Sequence, residues 1–173
     1  MIILNFSSEV CLKYASKYAC AYFRCILQRI LRSMPLYNGM LGNRIISEFP
    51  IAELDETVRT IRECGCEEFA LLKCTSTYPA AAENTNILTI PHMRELFGCE
   101  VGLSDHTMGV GVSVASVALG ATVIEKHFTL NRADGGVDSA FSMEPAEMAQ
   151  LVAETERAWQ ALGQVSYGAT EEE

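Results

Sequence analysis

The feature that most constrains this chain is the stretch of residues 100–127, in which two short apolar runs each lead directly to a histidine. The residues between the two runs have helical spacing and are punctuated by glycine. The pattern predicts a strand, a loop, a helix and a second strand, which together make one βαβ unit. Because the carboxyl ends of parallel strands meet at one edge of a sheet, His106 and His127 are expected to converge there.

The same alternation of strand and helix extends on both sides of this unit. Helices are predicted over 52–64, 87–97, 109–119 and 147–162, and strands over 44–47, 69–74, 99–104 and 121–126. Such alternation indicates a parallel sheet with helices outside, either a doubly wound α/β fold or part of a (β/α)8 barrel. A closed barrel takes about 250 residues, so three or four units amount to about half of one.

The N-terminal residues differ in charge from the rest of the chain. Six Lys and Arg residues and one acid precede Ser47, whereas 7 basic and 21 acidic residues occur from Ser47 onward. Residues 12–31 have the spacing of a basic amphipathic helix, which could lie on a membrane surface, dock on a partner or pack on the protein body. Packing on the body, or a poorly ordered appendage, is the interpretation we favour.

Composition excludes several classes of function. The net charge of -9 disfavours nucleic acid as a partner, since phosphates would be repelled. No apolar run is long enough to span a bilayer. The seven cysteines show no C-x-x-C pair or other metal-ligand spacing, so free thiols and a cytoplasmic location are expected.

Alternation along the two strands sharpens the candidate site. Ser104 and His106 are two residues apart and share a face of an extended strand, as do Glu125 and His127. Two imidazoles with a nearby carboxylate suit a divalent metal ion that keeps positions open for substrate. Either histidine alone would be typical of a structural residue; their equivalent positions on adjacent strands favour a shared site.

Other polar residues follow the predicted strands. Asp138, in a glycine-containing loop, could contact hydroxyl groups of a substrate or transfer protons, although such a residue is often only a solvated loop carboxylate. Ser76 and Tyr78 could donate hydrogen bonds to a ligand or serve as turn residues. The glycines at 109 and 111, at the start of a predicted helix, are only a weak indication of a phosphate-binding loop. His92 is interpreted as a structural residue.

Five sequence blocks carry a resemblance to a known family. They are CTSTYPA at 74–80, ENTNILTIPH at 83–92, GLSDHTMG at 102–109, IEKHFTL at 124–130 and RADGGVDSAFSMEP at 132–145. Over residues 52–170 the chain resembles the sialic-acid synthase family. The residues of the first two blocks are most similar to the pseudaminic acid synthase branch of that family.

The resemblance implies a (β/α)8 barrel that condenses phosphoenolpyruvate with an acetamido-sugar aldehyde, releasing phosphate and forming a nonulosonic acid. A Mn²⁺- or Mg²⁺-type ion would polarise the aldehyde, and the intact enzyme would be a homodimer. We interpret residues 44–164 as the C-terminal half of this barrel. Residues 1–43 would be a basic segment of other origin, and 165–173 an acidic linker toward a small antifreeze-like domain.

The resemblance also assigns roles to residues. The metal histidines of the family fall on His106 and His127, and its glutamate near the metal falls on Glu125. Its sugar-facing carboxylate falls on Asp138. Three further positions match substrate contacts: Ser76, Tyr78 and Ser104.

The chain also departs from the family pattern, which leaves alternatives open. The earlier barrel strands and their phosphate-binding groups have no counterpart in residues 1–43, and residues 48–50 replace an expected turn. We therefore expect a truncated or frame-shifted product. The alternatives are an N-acetylneuraminate synthase-type activity, or an inactive half-barrel that associates through exposed strand edges.

Overall fold

The computed structural model describes residues 2–5, 50–66 and 69–169. Strands and helices alternate along the chain, interrupted by single-turn 3₁₀ helices at Ala82–Asn84, Arg132–Asp134 and Ser139–Phe141. The strands are β1 (Ile2–Asn5), β2 (Ala70–Cys74), β3 (Glu100–Asp105) and β4 (Val123–Lys126). The helices are α1 (Ile51–Glu63), α2 (Thr89–Phe97), α3 (Gly111–Ala118) and α4 (Pro145–Leu162).

The four strands form one sheet in the order β1, β4, β3, β2. Strands β2, β3 and β4 are parallel, and β1 pairs antiparallel with β4. The three parallel strands alternate with helices, as predicted, and their bounds differ from the predicted ones by two residues at most. The sequence does not predict β1. The predicted helix over 12–31 and the predicted strand over 44–47 lie outside the described residues.

One face of the parallel strands packs against α1, α2 and α3. The buried apolar residues of this layer are Leu54, Val58, Leu71, Ile90, Met93, Phe97, Val101, Leu103, Val117, Ala121 and Ile124. Strand β3 is buried along nearly its whole length, which is typical of a parallel strand covered on both faces. Burial on both faces explains why neighbouring residues of β2, such as Leu71 and Leu72, are both apolar.

Helix α4 is attached to the other elements by a second, smaller core. Met143, Met148 and Leu151 are buried there, with Val110 and Phe128 packed against them. A reciprocal capping box starts the helix: the Glu144 side chain accepts from the backbone at Glu147, and the Glu147 side chain accepts from the Glu144 amide. Pro145 occupies the first turn, as the sequence indicates.

Within the described residues, none of the helices has both the length and the apolar character that crossing a membrane requires.

Candidate active site

The register of β3 against β4 determines which side chains meet at the carboxyl edge of the sheet. Ser104 lies opposite Glu125 and Asp105 lies opposite Lys126. One residue further along each chain, the imidazole rings of two histidines lie side by side with their centroids 5.2 Å apart. The structure thus brings together His106 and His127, the pair that the sequence places at equivalent strand ends.

Beneath the two histidines, Ser104 and Glu125 form a buried hydrogen bond. The Ser104 hydroxyl donates to Glu125 Oε1 over 2.8 Å, and each residue is 2% exposed. Because side chains alternate along a strand, these two residues lie on the same face as the histidines. Contacts of the Cys74 thiol with both Ser104 and His106 agree with this placement.

The tautomer of His106 is determined by a backbone contact. Its Nδ1 lies 2.8 Å from the carbonyl oxygen of Thr75, and a carbonyl can only accept, so Nδ1 carries the proton. The lone pair of the neutral ring is then on Nε2. A backbone carbonyl that accepts from one ring nitrogen, so that the lone pair is on the other, is the arrangement expected of a histidine that binds a metal ion.

A cysteine thiol contacts the base of the site. Cys74 Sγ lies 3.8 Å from His106 Nδ1 and 3.9 Å from the Ser76 hydroxyl. Burial raises the pKa of this thiol, but hydrogen bonding and charge from His106, together with hydrogen bonds from Ser104 and Ser76, lower the pKa overall below its ordinary value. The Cys74 thiol is therefore more acidic than an ordinary cysteine. The sequence alone assigns this residue no role here.

Two aromatic rings flank the histidine pair. The Tyr78 ring lies 4.2 Å from the His106 ring and 5.8 Å from the His127 ring, measured between centroids. Phe141 contacts both Tyr78, at 5.4 Å, and His127, at 5.2 Å. Sequence reasoning missed Phe141, although its position three residues after Asp138 in the same loop could have indicated it.

The loops that follow β2 and β4 are each attached to a histidine backbone. The Ala80 amide donates to the His106 carbonyl and the Met143 amide donates to the His127 carbonyl, each over 2.9 Å. The second loop carries Asp138, whose Oδ2 lies 3.6 Å from His127 Nδ1. This distance is too long for a hydrogen bond, and half of the Asp138 side chain is exposed, so its carboxylate also faces solvent.

His92 and the glycine pair lie apart from this constellation. His92 is exposed on α2 and lines an open cavity of about 840 Å³, together with Lys73 and Gly111. Neither His106 nor His127 lines that cavity. The third histidine of the chain is therefore not part of the site at the strand ends.

The side chains at the strand ends, two imidazoles and one carboxylate, are of the kinds that divalent metal ions bind. In residues 50–66 and 69–169, no group of three or more His, Cys, Asp and Glu side chains is disposed to hold a metal ion. The residues that could contribute ligands are His106 and His127, with the buried Glu125 carboxylate below them. Imidazole ligands with several positions left open suit an ion that must also contact a substrate.

Comparison with known proteins bears on this geometry. The sequence model of the NeuB family matches residues 48–167, which is more than half of the chain. The chain belongs to the NeuB family. The resemblance of its motifs to sialic-acid synthases is thereby confirmed.

Individual NeuB relatives differ in the acid named for them. The chain is 43% identical to a pseudaminic acid synthase of Campylobacter jejuni over 111 residues, covering 64% of this chain and 32% of the relative. It is 37% identical to an N,N'-diacetyllegionaminic acid synthase of the same species over 115 residues, covering 65% and 34%. The chain spans about a third of the length of these curated relatives.

A solved structure supports the fold assignment. The crystal structure of N-acetylneuraminic acid synthetase from Leptospira borgpetersenii, in complex with citrate, superposes with a TM-score of 0.66 at 33% identity. The match covers 72% of this chain and 43% of that one. The described α/β unit therefore corresponds to part of a NeuB-family domain.

Proposed function

We propose that this chain carries the metal-binding and sugar-facing part of a nonulosonic acid synthase. The reaction would join phosphoenolpyruvate to an acetamido-sugar aldehyde, consume one water molecule and release phosphate. The observation that carries the proposal is the convergence of His106 and His127 at adjacent strand ends, with the Ser104–Glu125 hydrogen bond directly below. Membership of the NeuB family supports it.

The two histidines are the residues that would hold a Mn²⁺- or Mg²⁺-type ion. When bound, such an ion would polarise the carbonyl of the sugar aldehyde and so favour attack by the enol carbon. The Thr75 carbonyl accepts a hydrogen bond from His106 Nδ1. In the neutral ring the proton is therefore on Nδ1 and the lone pair is on Nε2. This contact prepares His106 as a ligand before any ion arrives.

The remaining site residues would bind and orient the two substrates. Ser104 would contact phosphoenolpyruvate while its hydroxyl also restrains Glu125, which would act close to the ion. Asp138, beside His127 and half exposed, would face the sugar hydroxyls. Tyr78 and Ser76 would contact substrate from the loop after β2, and the aromatic rings would exclude water from one side.

The sugar we propose is an acetamido-trideoxy hexose, which would give pseudaminic acid. The motifs at residues 74–80 and 83–86, which are most similar to the pseudaminic acid synthase branch, support this choice. A legionaminate or neuraminate precursor is the alternative, because an N,N'-diacetyllegionaminic acid synthase matches at 37% identity and an N-acetylneuraminate-9-phosphate synthase at 43%. We also propose a cytoplasmic location, which the free thiols of Cys64 and Cys99 support.

A different function, as a catalytically inactive partial barrel, is favoured by one observation. In the described sheet β2 pairs on one side only, with β3. An open parallel edge of this kind can pair with another chain. Association through β2 is then the expected behaviour in place of turnover.

Phosphate release decides between these functions. The purified chain, supplied with Mn²⁺, phosphoenolpyruvate and the acetamido-trideoxy hexose, should release phosphate, and His106→Ala or His127→Ala should abolish the release. His92→Gln is the matched control, since it removes the one other histidine and lies outside the site. Absence of phosphate release from a chain that binds Mn²⁺ would support the inactive alternative, and absence of Mn²⁺ binding would refute the metal role.

A further inference from the structure

A buried ion pair lies on the opposite face of the two strands from the histidines. Lys126 Nζ is 2.9 Å from Asp105 Oδ2, and the two side chains are 3% and 0% exposed. The two residues are register partners, and each directly precedes one of the site histidines in the sequence. No step of the proposed reaction uses either charge.

The hydrogen bonds of Asp105 and Lys126 converge on the residue that follows His106. Asp105 Oδ1 accepts from the Thr107 amide over 2.8 Å and from the Thr107 hydroxyl over 2.7 Å. Lys126 Nζ donates to the Thr107 carbonyl over 2.7 Å. Both backbone polar groups of Thr107 are thus held by the ion pair, which limits how far the backbone at His106 can move.

The ion pair is also attached to the helix layer. The Ser113 hydroxyl, in the first turn of α3, donates to Asp105 Oδ2 over 2.5 Å. Ser113 is itself fully buried. The ends of β3 and β4 and the start of α3 are therefore joined through the single carboxylate of Asp105.

Stability alone is a poor explanation for such a pair. Removing two charges from water costs free energy, and apolar residues of similar volume often stabilise a fold as well or better. What buried charges with complete hydrogen bonding add is a defined geometry. Here the geometry concerns two backbones whose next residues are the candidate metal ligands.

We propose that Asp105 and Lys126 are positioning residues that hold the backbones of His106 and His127 at the spacing a divalent ion requires. This inference rests on the proposed function for the role of the ion. It adds that the affinity for the ion is determined partly from the helix side of the sheet, through Thr107 and Ser113. A merely structural pair would affect unfolding without affecting the two rings.

The test measures the histidine rings of the folded, metal-free chain and its affinity for Mn²⁺. The chain contains three histidines, so a spectrum of ¹⁵N-labelled histidine has three rings, and His92→Gln assigns one of them. Asp105→Asn and Lys126→Met should shift the ring signals of His106 and His127 while leaving His92 unchanged. They should weaken Mn²⁺ binding, measured by calorimetry, by about 10-fold, the lower end of what loss of a direct contact to a metal ligand costs, because they act on His106 through Thr107.

Ser113→Ala is the variant that keeps the ion pair and avoids an uncompensated buried charge. It removes one hydrogen bond to Asp105, and it should produce the same ring shifts with a smaller loss of Mn²⁺ affinity. If the charge variants do not fold, Ser113→Ala decides the question. The matched control is Asp55→Asn with Arg59→Met, which removes an exposed ion pair on α1 and should change neither the rings nor the affinity.

Two results separate this inference from the proposed function. A wild-type chain that does not bind Mn²⁺ would refute the proposed metal role, yet the ring signals of the metal-free chain would still test the positioning. Folded Asp105→Asn, Lys126→Met or Ser113→Ala variants with unchanged signals for His106 and His127 would overturn the positioning role. Unchanged Mn²⁺ affinity in a folded variant of a binding-competent chain would also overturn it.

Discussion

The hydroxyl of Ser104 donates to Glu125 Oε1 over 2.8 Å, between two residues that are register partners on neighbouring parallel strands. The contact is one of three successive pairs along β3 and β4. The second pair, Asp105 and Lys126, faces the helices. The third pair, His106 and His127, lies on the same face of the sheet as Ser104 and Glu125. Because side chains alternate along a strand, the ion pair lies on one face of the sheet, and the pairs before and after it lie on the other face, in the candidate site.

Removal of the Ser104 hydroxyl should destabilise the fold. Ser104→Ala takes one hydrogen bond from the buried Glu125 carboxylate, and we expect a loss of about 1 to 3 kcal/mol in the free energy of unfolding. Glu125→Gln and the Ser104→Ala/Glu125→Gln double variant complete a double-mutant cycle, measured by urea unfolding. The losses of unfolding free energy from the two single substitutions should not add up to that of the double variant. Ser139→Ala, which removes an exposed hydroxyl contact, should cost less than about 0.5 kcal/mol. Additive effects would show that the two side chains do not interact.

Gly102 is a position where no side chain fits. A Cβ there would lie 2.3 Å from the Val123 carbonyl oxygen and 2.7 Å from Leu72 Cδ2, so Gly102→Ala must separate β3 from β4. We expect destabilisation of about 1 to 3 kcal/mol, or more. Gly111→Ala, at the start of α3 with no atom within 4 Å of the new Cβ, should be neutral or stabilising by up to about 1 kcal/mol. Equal urea midpoints for the two variants would contradict this packing argument.

The parallel core could be predicted because its signals are local. Buried runs and helical periodicity indicate β2, β3, β4 and the four helices within about two residues. The start of β4 differs because Ala121 and Thr122 are held in a connection, where their amides donate to Ser116 and Val101 carbonyls. Strand β1 could not be predicted, since its antiparallel pairing with β4 joins residues more than a hundred positions apart.

The candidate site could be predicted in part. Parity along each strand indicated that Ser104 and His106, and Glu125 and His127, share a face, and the structure brings these side chains together. The contact from Thr75 to His106 has no signal in the sequence, because every residue has the same carbonyl group. The ion pair behind the histidines depends on the register of β3 against β4, which cannot be read from the sequence.

Arg132 should restrain the loop that carries Asp138. Its Nε donates to the Ser142 carbonyl over 2.9 Å, and its guanidinium contacts the carboxylates of Glu144 and Glu147. Arg132→Met should therefore increase hydrogen exchange of backbone amides over 132–142, measured by mass spectrometry. The loss of unfolding free energy should stay below about 1 kcal/mol, because the contacts are partly exposed.

Arg157→Met is the control for the Arg132 prediction. It removes a similar ion pair with Glu154 on the exposed surface of α4, away from the loop. Exchange over 132–142 should be the same as in the wild-type chain. Equal exchange in the Arg132 and Arg157 variants would show that the guanidinium of Arg132 does not hold the loop.

The stability contributed by Glu147 should depend on pH. A hydrogen bond from the Glu144 amide lowers the pKa of the Glu147 carboxyl below its ordinary value of 4.5; slight burial opposes this, and Arg132 lowers the pKa further. The ionised form therefore stabilises the folded state. Its contribution is present above pH 4.5 and is lost as the pH falls through the lowered folded-state pKa.

Comparison of Glu147→Gln with the wild-type chain tests this sign. At neutral pH the free energy of unfolding of the variant should be about 0.5 kcal/mol lower than that of the wild-type chain. The effect is modest because the Glu147 side chain is 43% exposed. The difference should shrink as the pH is lowered below 4.5, since the protonated carboxyl no longer offers the Glu144 amide and Arg132 a charged acceptor. Glu154→Gln, on the same helix with an exposed partner, controls for removal of one negative charge. A difference for Glu147→Gln that grew as the pH fell would show that the capping contact stabilises the neutral carboxyl instead.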